Sequence, residues 1–238
     1  MISKFHSSKD RGQANHGWLK SYHSFSFGSF HNPSKVNFGA LRVLNDDTVN
    51  GGMGFGKHPH ENMEIISIPL EGKLEHQDSM GNKTIISKGE VQILSAGTGI
   101  FHSEKNHEHD KPVKFLQIWV FPDKKDIEPR YDQQAFLQEG RKNRFQTIVS
   151  PLGTNDEGIK INQNAWLSLI DLQSKENNTY ILNNSSNGVF VFVISGEIII
   201  DSKILKLRDG LAISDSKSFE IESNVDSEIL LLEIPLEF

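Results

Sequence analysis

The sequence predicts an all-β protein made of two related halves. Three observations carry this prediction. Apolar residues gather in short runs rich in Ile, Val and Phe, and Gly, Asn, Asp and Ser interrupt those runs at the spacing of a sandwich or barrel. A weak internal repeat relates one half to the other. In chain order, residues 64–70, 84–94, 113–121, 189–200, 203–207 and 228–234 read as strands. Glu71-Gly72, Met80-Gly81-Asn82, Ser87-Lys88-Gly89 and Ser195-Gly196 punctuate them as turns. One segment, Arg130 to Glu139, predicts a short helix. The repeat pairs the turn at Gly72 and the following run to Ile93 with the turn at Gly196 and the run to Ile213, the second copy being about four residues shorter at the hairpin. The polar stretch Pro122-Asp123-Lys124-Lys125-Asp126 marks the junction, and the expected division is 1–128 and 129–238.

Composition narrows the function classes. A chain of 238 residues affords a sizeable core. It has no cysteine, which removes disulfides, thiolate metal sites and a Cys nucleophile together. The net charge of −6 and a pI of about 5.9 argue against direct nucleic-acid binding. The longest apolar runs, Val189 to Ile194 and Ile229 to Leu232, are far short of a membrane span of ~20 residues. The first residues lack the apolar core of a secretory signal. The expectation is a soluble, cytoplasmic monomer with no membrane partner.

Ten histidines are present, and random placement would yield roughly 0.4 His-x-His pairs. Two occur, His58-Pro59-His60 and His107-Glu108-His109. The first follows a glycine-dense lead and precedes a strand, so both imidazoles fall on one strand face and reach one ion. A second pair, His102 and Glu104, also follows a Gly-rich turn at i and i+2. Together they predict a three-His, one-carboxylate site for a divalent transition metal with open positions. Glu64 competes for the carboxylate place. Gly52-x5-His58-x-His60-x3-Glu64-x7-Gly72 nearly fits the common cupin pattern, in which that Glu is a ligand. Spacing alone leaves Glu64 and Glu104 both open.

Several longer stretches resemble the pirin family of bicupins: Asn15 to Leu19, His23 to Phe27, Ala40 to Asp47, Gly54 to His60, Glu75 to Asn82 and Ser95 to Glu104. The likeness runs over nearly the whole chain and is greatest toward bacterial pirin-related quercetinases. It implies two tandem cupin barrels (double-stranded β-helix, jelly-roll) with the metal in the first. It implies His58, His60, His102 and Glu104 as ligands and leaves Glu64 out. The ion it implies is Fe(II), with Zn, Mn, Ni, Cu and Co also compatible. The implied activity is ring-opening dioxygenation of a flavonol such as quercetin, with O2 as co-substrate and carbon monoxide released. Glu104 then serves as ligand and base at once. The alternative implied by the eukaryotic pirin is an iron-binding regulatory protein without turnover.

The second half is expected to hold no metal, because residues 110–238 contain no histidine. An ungapped alignment sets Leu182 and Asn184 opposite His58 and His60, and Glu222 and Asn224 opposite His102 and Glu104. Elsewhere, His23, Phe25 and Phe27 alternate along one strand face, with core packing expected of the rings. His76 is expected to hydrogen-bond within a turn, and His107 and His109 to be solvated. Trp119 and Phe121 read as a barrel strand, and Trp166 as core of the second half.

Overall fold

A computed structural model describes all 238 residues. Each half is a seven-stranded sheet facing a four-stranded one, all but one of the pairings being antiparallel. In the first half the large sheet runs, in spatial order, Arg130–Ala135, Glu90–Ser95, Glu64–Glu71, Val113–Val120, Leu41–Val49, Leu19–His23 and Gly12–Asn15. The small sheet is Gly54–His60, Ile100–Asn106, Lys73–Asp78 and Lys83–Ser87. The second half repeats this order. Asn187–Ser195 and Ser227–Pro235 lie at the centre of its large sheet, and Asn177–Ile181, Ser218–Ser223, Glu197–Ile200 and Lys203–Lys206 form the small one. These are the two tandem cupin folds expected from the sequence.

The terminal arms cross over. Ile2–His6 pairs with Gly210–Ser214 of the second half, while Arg130–Ala135 pairs with Glu90–Ser95 of the first. Each arm covers a strand that otherwise ends its sheet with unpaired backbone groups. The second arm corrects the helix expected over Arg130 to Glu139. Arg130–Ala135 is a strand, followed by a 3-10 turn at Gln138–Arg141. A sheet edge supplies the hydrogen bonds that a helix would make internally. Tyr131 also bonds Thr84 across the fold, so tertiary pairing outweighs local propensity.

The two large sheets pack back to back. Twenty-five buried residues form one cluster between the halves, including Leu44, Ile66, Leu116 and Ile118 from the first and Leu167, Phe190, Leu230 and Leu232 from the second. Their other faces line the two interiors. Both faces of these strands are therefore buried, which is why Val189 to Ile194 and Ile229 to Leu232 are unbroken apolar runs. The second interior is filled by fifteen buried residues, among them Tyr180, Ile200, Phe219 and Ile221. Trp166 is buried as expected, and its indole N–H donates to Asp156 at 2.9 Å.

His6 sits where the first arm meets both halves, its ring 6.0 Å from that of Phe25 and 5.2 Å from that of Phe190. Burial, reinforced by Lys35 and Lys4, pushes its pKa down to about 4. An unfolded chain takes up this proton at about 6.5, so the folded state loses stability as pH falls from there to about 4. Chemical denaturation of wild type and His6→Phe at pH 7 and pH 4.5 measures the effect. The variant is expected to lose less stability between the two pH values, by at most about 3 kcal/mol.

Candidate metal centre

Strand alternation brings the histidines of the first half together. On Ile100–Asn106, the side chains of Ile100, His102, Glu104 and Asn106 are buried and those of Phe101 and Lys105 are exposed. This strand pairs with Gly54–His60 so that His102 stands directly opposite His58. The register shifts between His102 and Glu104, a bulge of the kind that re-aims side chains. Close approach constrains the partner strand. A Cβ on Gly54 would lie 2.3 Å from the carbonyl oxygen of Glu104, so only glycine fits there.

The imidazoles of His58, His60 and His102 converge. Their ring centroids are 4.4 to 4.9 Å apart, and one ring nitrogen from each lies within 4.8 Å of the others. The His58 Nδ1–H donates to the Gly56 carbonyl at 2.7 Å, leaving Nε2 with its lone pair. Burial and the neighbouring imidazoles lower His60 to about 4 and His102 to about 2, so both rings are neutral at physiological pH. His102 is 1% exposed, and neither of its ring nitrogens has a partner in the protein. Three converging imidazoles, one of them otherwise unsatisfied, form a donor set for a divalent cation.

Glu104 is fully buried behind this cluster. Its ligand oxygen groups with nitrogens of His76 and His102 rather than with His58 and His60. Oε2 accepts from Gln117 at 2.7 Å, and Ser67 shares its single hydroxyl hydrogen between Gln117 Oε1 at 2.8 Å and Glu104 Oε1 at 3.2 Å. Burial outweighs these hydrogen bonds and pushes the carboxyl up to about 7. A carboxylate has about four lone-pair directions, so two remain for a proton or an ion.

Glu64 lies elsewhere. It shares a strand face with Ile66 and Ile68, toward the second half, and accepts from Ser95 at 2.7 Å and from Asn162 at 3.2 Å. Parity explains the difference, because Ile65 and Ser67 are the residues of that strand that face inward.

The structure adds residues that the sequence reading missed. His76 is fully buried on the strand Lys73–Asp78 instead of bonding within a turn, and its Nε2 lies 3.1 Å from Asp78 Oδ2. Although burial opposes it, hydrogen bonds from Asn82 and His76 hold the Asp78 carboxyl below its usual range. The alternation Leu74, His76, Asp78 was the available signal. Trp119 packs edge-on against His60 at 5.0 Å, and Phe27 against Trp119 at 5.4 Å. Phe25 lies in the core between the halves, whereas Phe27 and His23 line the cavity. Phe121 leaves the strand and stacks on Phe238. His107 and His109 are exposed, as expected.

His23, Phe27 and Trp119 line a cavity of about 880 Å³ that opens onto His58, His60 and Glu104. The second half has no counterpart. Its register sets Tyr180 and Phe219 opposite each other as His58 and His102 are in the first half, and it puts Ile221 at the place of Glu104. The ungapped alignment, which chose Glu222 and Asn224, runs three residues past this register, and the loop before Ser218–Ser223, one residue shorter than the one before Ile100–Asn106, accounts for part of that shift.

Comparison with known proteins agrees with this architecture. The pirin family model matches residues 4–120, and the model of a quercetinase C-terminal cupin domain matches residues 147–234. A quercetin 2,3-dioxygenase of Escherichia coli O157:H7 is 42% identical over 95% of this chain and 96% of its own length. A pirin-like protein of Caulobacter vibrioides is 36% identical over 93% and 95%. The crystal structure of the Escherichia coli bacterial pirin YhhW in complex with nickel(II) superposes with a TM-score of 0.92 at 40% identity, covering 98% of this chain and 99% of that one. The chain belongs to the pirin family.

Proposed function

We propose that this protein is a metal-dependent dioxygenase that opens the heterocyclic ring of a flavonol such as quercetin with O2 and releases carbon monoxide. The observation that carries the reading is the convergence of His58, His60 and His102 on one another beside a cavity lined by His58 and His60, with the buried His102 nitrogens left without protein partners. The relatives named quercetin 2,3-dioxygenase and the nickel complex of a bacterial pirin support it. We assign His58, His60, His102 and Glu104 to hold one divalent ion. This nitrogen and oxygen set suits Fe(II), the ion we favour, as well as Ni(II), Mn(II), Co(II), Cu(II) and Zn(II). When bound, the ion supplies Lewis-acid charge that favours the ionised form of the flavonol 3-hydroxyl.

The remaining contributions come from the chain. Gly56 fixes the His58 tautomer so that Nε2 faces the cluster. Phe27 and Trp119 offer ring surfaces that orient a flat aromatic molecule and exclude water from it. Glu104 is the proton carrier. Its buried carboxyl would take the hydroxyl proton and return it to product. Ser67 and Gln117 hold that carboxyl in one orientation during the transfer.

Elemental analysis after anaerobic reconstitution with each metal is expected to find one ion per chain. His58→Ala/His102→Ala is expected to abolish binding while far-UV circular dichroism still reports a folded β protein. Full stoichiometry in that variant would overturn the ligand assignment. In the metal-replete protein, Glu104→Gln is expected to lower quercetin-dependent O2 uptake and carbon monoxide release together by about 10²–10⁴-fold, the range of a lost general base. An unchanged rate would remove Glu104 from the proton step.

A further inference from the structure

The cavity contains a second polar cluster that the reaction as described does not use. Ser21 and His23 stand directly across from Asp47 and Asn45 on neighbouring strands of the large sheet. All four are at most 4% exposed, and all line the cavity that holds His58 and His60. Ser21 Oγ donates to Asp47 Oδ1. His23 Nδ1 lies 2.9 Å from Asn45 Oδ1 and 3.3 Å from Ser21 Oγ. An amide oxygen only accepts, so Nδ1 carries the hydrogen and Nε2 keeps its lone pair. No group of the chain bonds His23 Nε2, Asn45 Nδ2 or Asp47 Oδ2, and none of these atoms is sealed from solvent. Two acceptors and one donor are therefore presented to the cavity by side chains whose other polar atoms are already fixed.

An aromatic wall joins this cluster to the histidines. Successive ring contacts run from His23 to Phe27 at 5.2 Å, Phe27 to Trp119 at 5.4 Å and Trp119 to His60 at 5.0 Å. A planar molecule of two linked ring systems lying along Phe27 and Trp119 meets the histidine cluster with one end and the Ser21–Asp47 and His23–Asn45 pairs with the other.

We propose that His23, Asn45 and Asp47 form a specificity site for phenolic hydroxyl groups on the part of the substrate remote from the histidines. Asp47 Oδ2 and His23 Nε2 accept from the hydroxyls, and Asn45 Nδ2 donates to a phenolic oxygen. This rests on the flavonol reading above and adds a selection rule to it. A site built to bond a hydroxyl discriminates against an analogue lacking it, because its own buried polar groups are then left unpaired. The preferred substrate class is a polyhydroxylated flavonol, and 3-hydroxyflavone, which carries only the reacting hydroxyl, is a poor ligand.

The test is anaerobic titration of the metal-loaded protein with quercetin and with 3-hydroxyflavone, followed by tryptophan fluorescence, so that binding is read without turnover. Wild type is expected to bind quercetin at least 10-fold more tightly. Asp47→Leu and His23→Phe are each expected to shrink that ratio at least threefold, and the near-isosteric Asp47→Asn serves if the apolar variant does not fold. In turnover assays the loss is expected in KM for quercetin more than in kcat. Equal affinity of wild type for the two compounds, or a ratio that survives in Asp47→Leu, Asp47→Asn and His23→Phe, would overturn the proposal. Selective binding without O2 uptake would leave the specificity site standing and remove the reaction. Turnover without selectivity would do the reverse, and failure of both compounds to bind would remove both.

Discussion

Back-to-back packing of the two seven-stranded sheets is the constraint on which the rest of the molecule depends. It buries the second face of every central strand, so side-chain parity decides whether a residue joins the core between the halves or lines an interior. A one-residue slip would exchange the two sets, and the apolar cluster shared by both halves makes such a slip prohibitive. Polar residues can then be held inside the first half at fixed positions. Asn45, Gln117, Ser67 and Gln92 form a single register row across four strands, and Glu104 reaches that row from the facing sheet. Glu64 is one residue out of phase with Ile65 and falls on the other side.

The same scaffold carries two different interiors. By register, the places of Gln117, Ser67 and Gln92 are taken in the second half by Leu231, Val191 and Leu211. The largely apolar interior supplies transfer free energy of about 25 cal/mol for each Å² removed from water, and a polar group buried there, the Tyr180 hydroxyl, is bonded to Glu233. The first interior gives up part of that gain. It buries His76, His102 and Glu104, groups whose charged forms are disfavoured there. Protein sites of this kind break the local rule of apolar interiors where chemistry requires it, and stability is provided elsewhere in the chain.

The histidine cluster was legible because its residues are written at i and i+2. His58 with His60 and His102 with Glu104 each occupy one strand face, and both pairs follow glycine-rich turns. The all-β class was legible from turn spacing. What stayed hidden depends on partners distant in sequence. Arg130–Ala135 has no intrinsic strand signature and is a strand because Glu90–Ser95 offers an edge. The crossing of Ile2–His6 into the second half leaves no mark in local pattern. His76 looked like a turn residue because it lies close to Met80-Gly81-Asn82, although its alternation with Leu74 and Asp78 already matched a buried face. Spacing could not choose between Glu64 and Glu104, because the choice is one of strand parity within a fold still to be established.

The second half also reaches the cavity indirectly, through the strand Leu41–Val49. Asp46 and Asp47 are consecutive and point to opposite faces. Asp47 lines the cavity, while Asp46 accepts from Arg11 at 3.2 Å and from Arg208 at 2.8 Å. Arg208 belongs to the second half and also bonds the carbonyl of Ile194. These side chains are only 9 to 18% exposed, so the network is screened less by solvent than a surface pair. Removing one cation would leave a partly buried carboxylate short of charge compensation, which costs more than the pair contributes when intact. The first arm adds a parallel tie, since the backbone N–H of Ser8 donates to Asp209 at 2.7 Å. The strand that bears Asn45 and Asp47 is thus pinned from behind by a residue of the second half. The second half thereby has a mechanical part in the first: it holds one wall of the cavity in place.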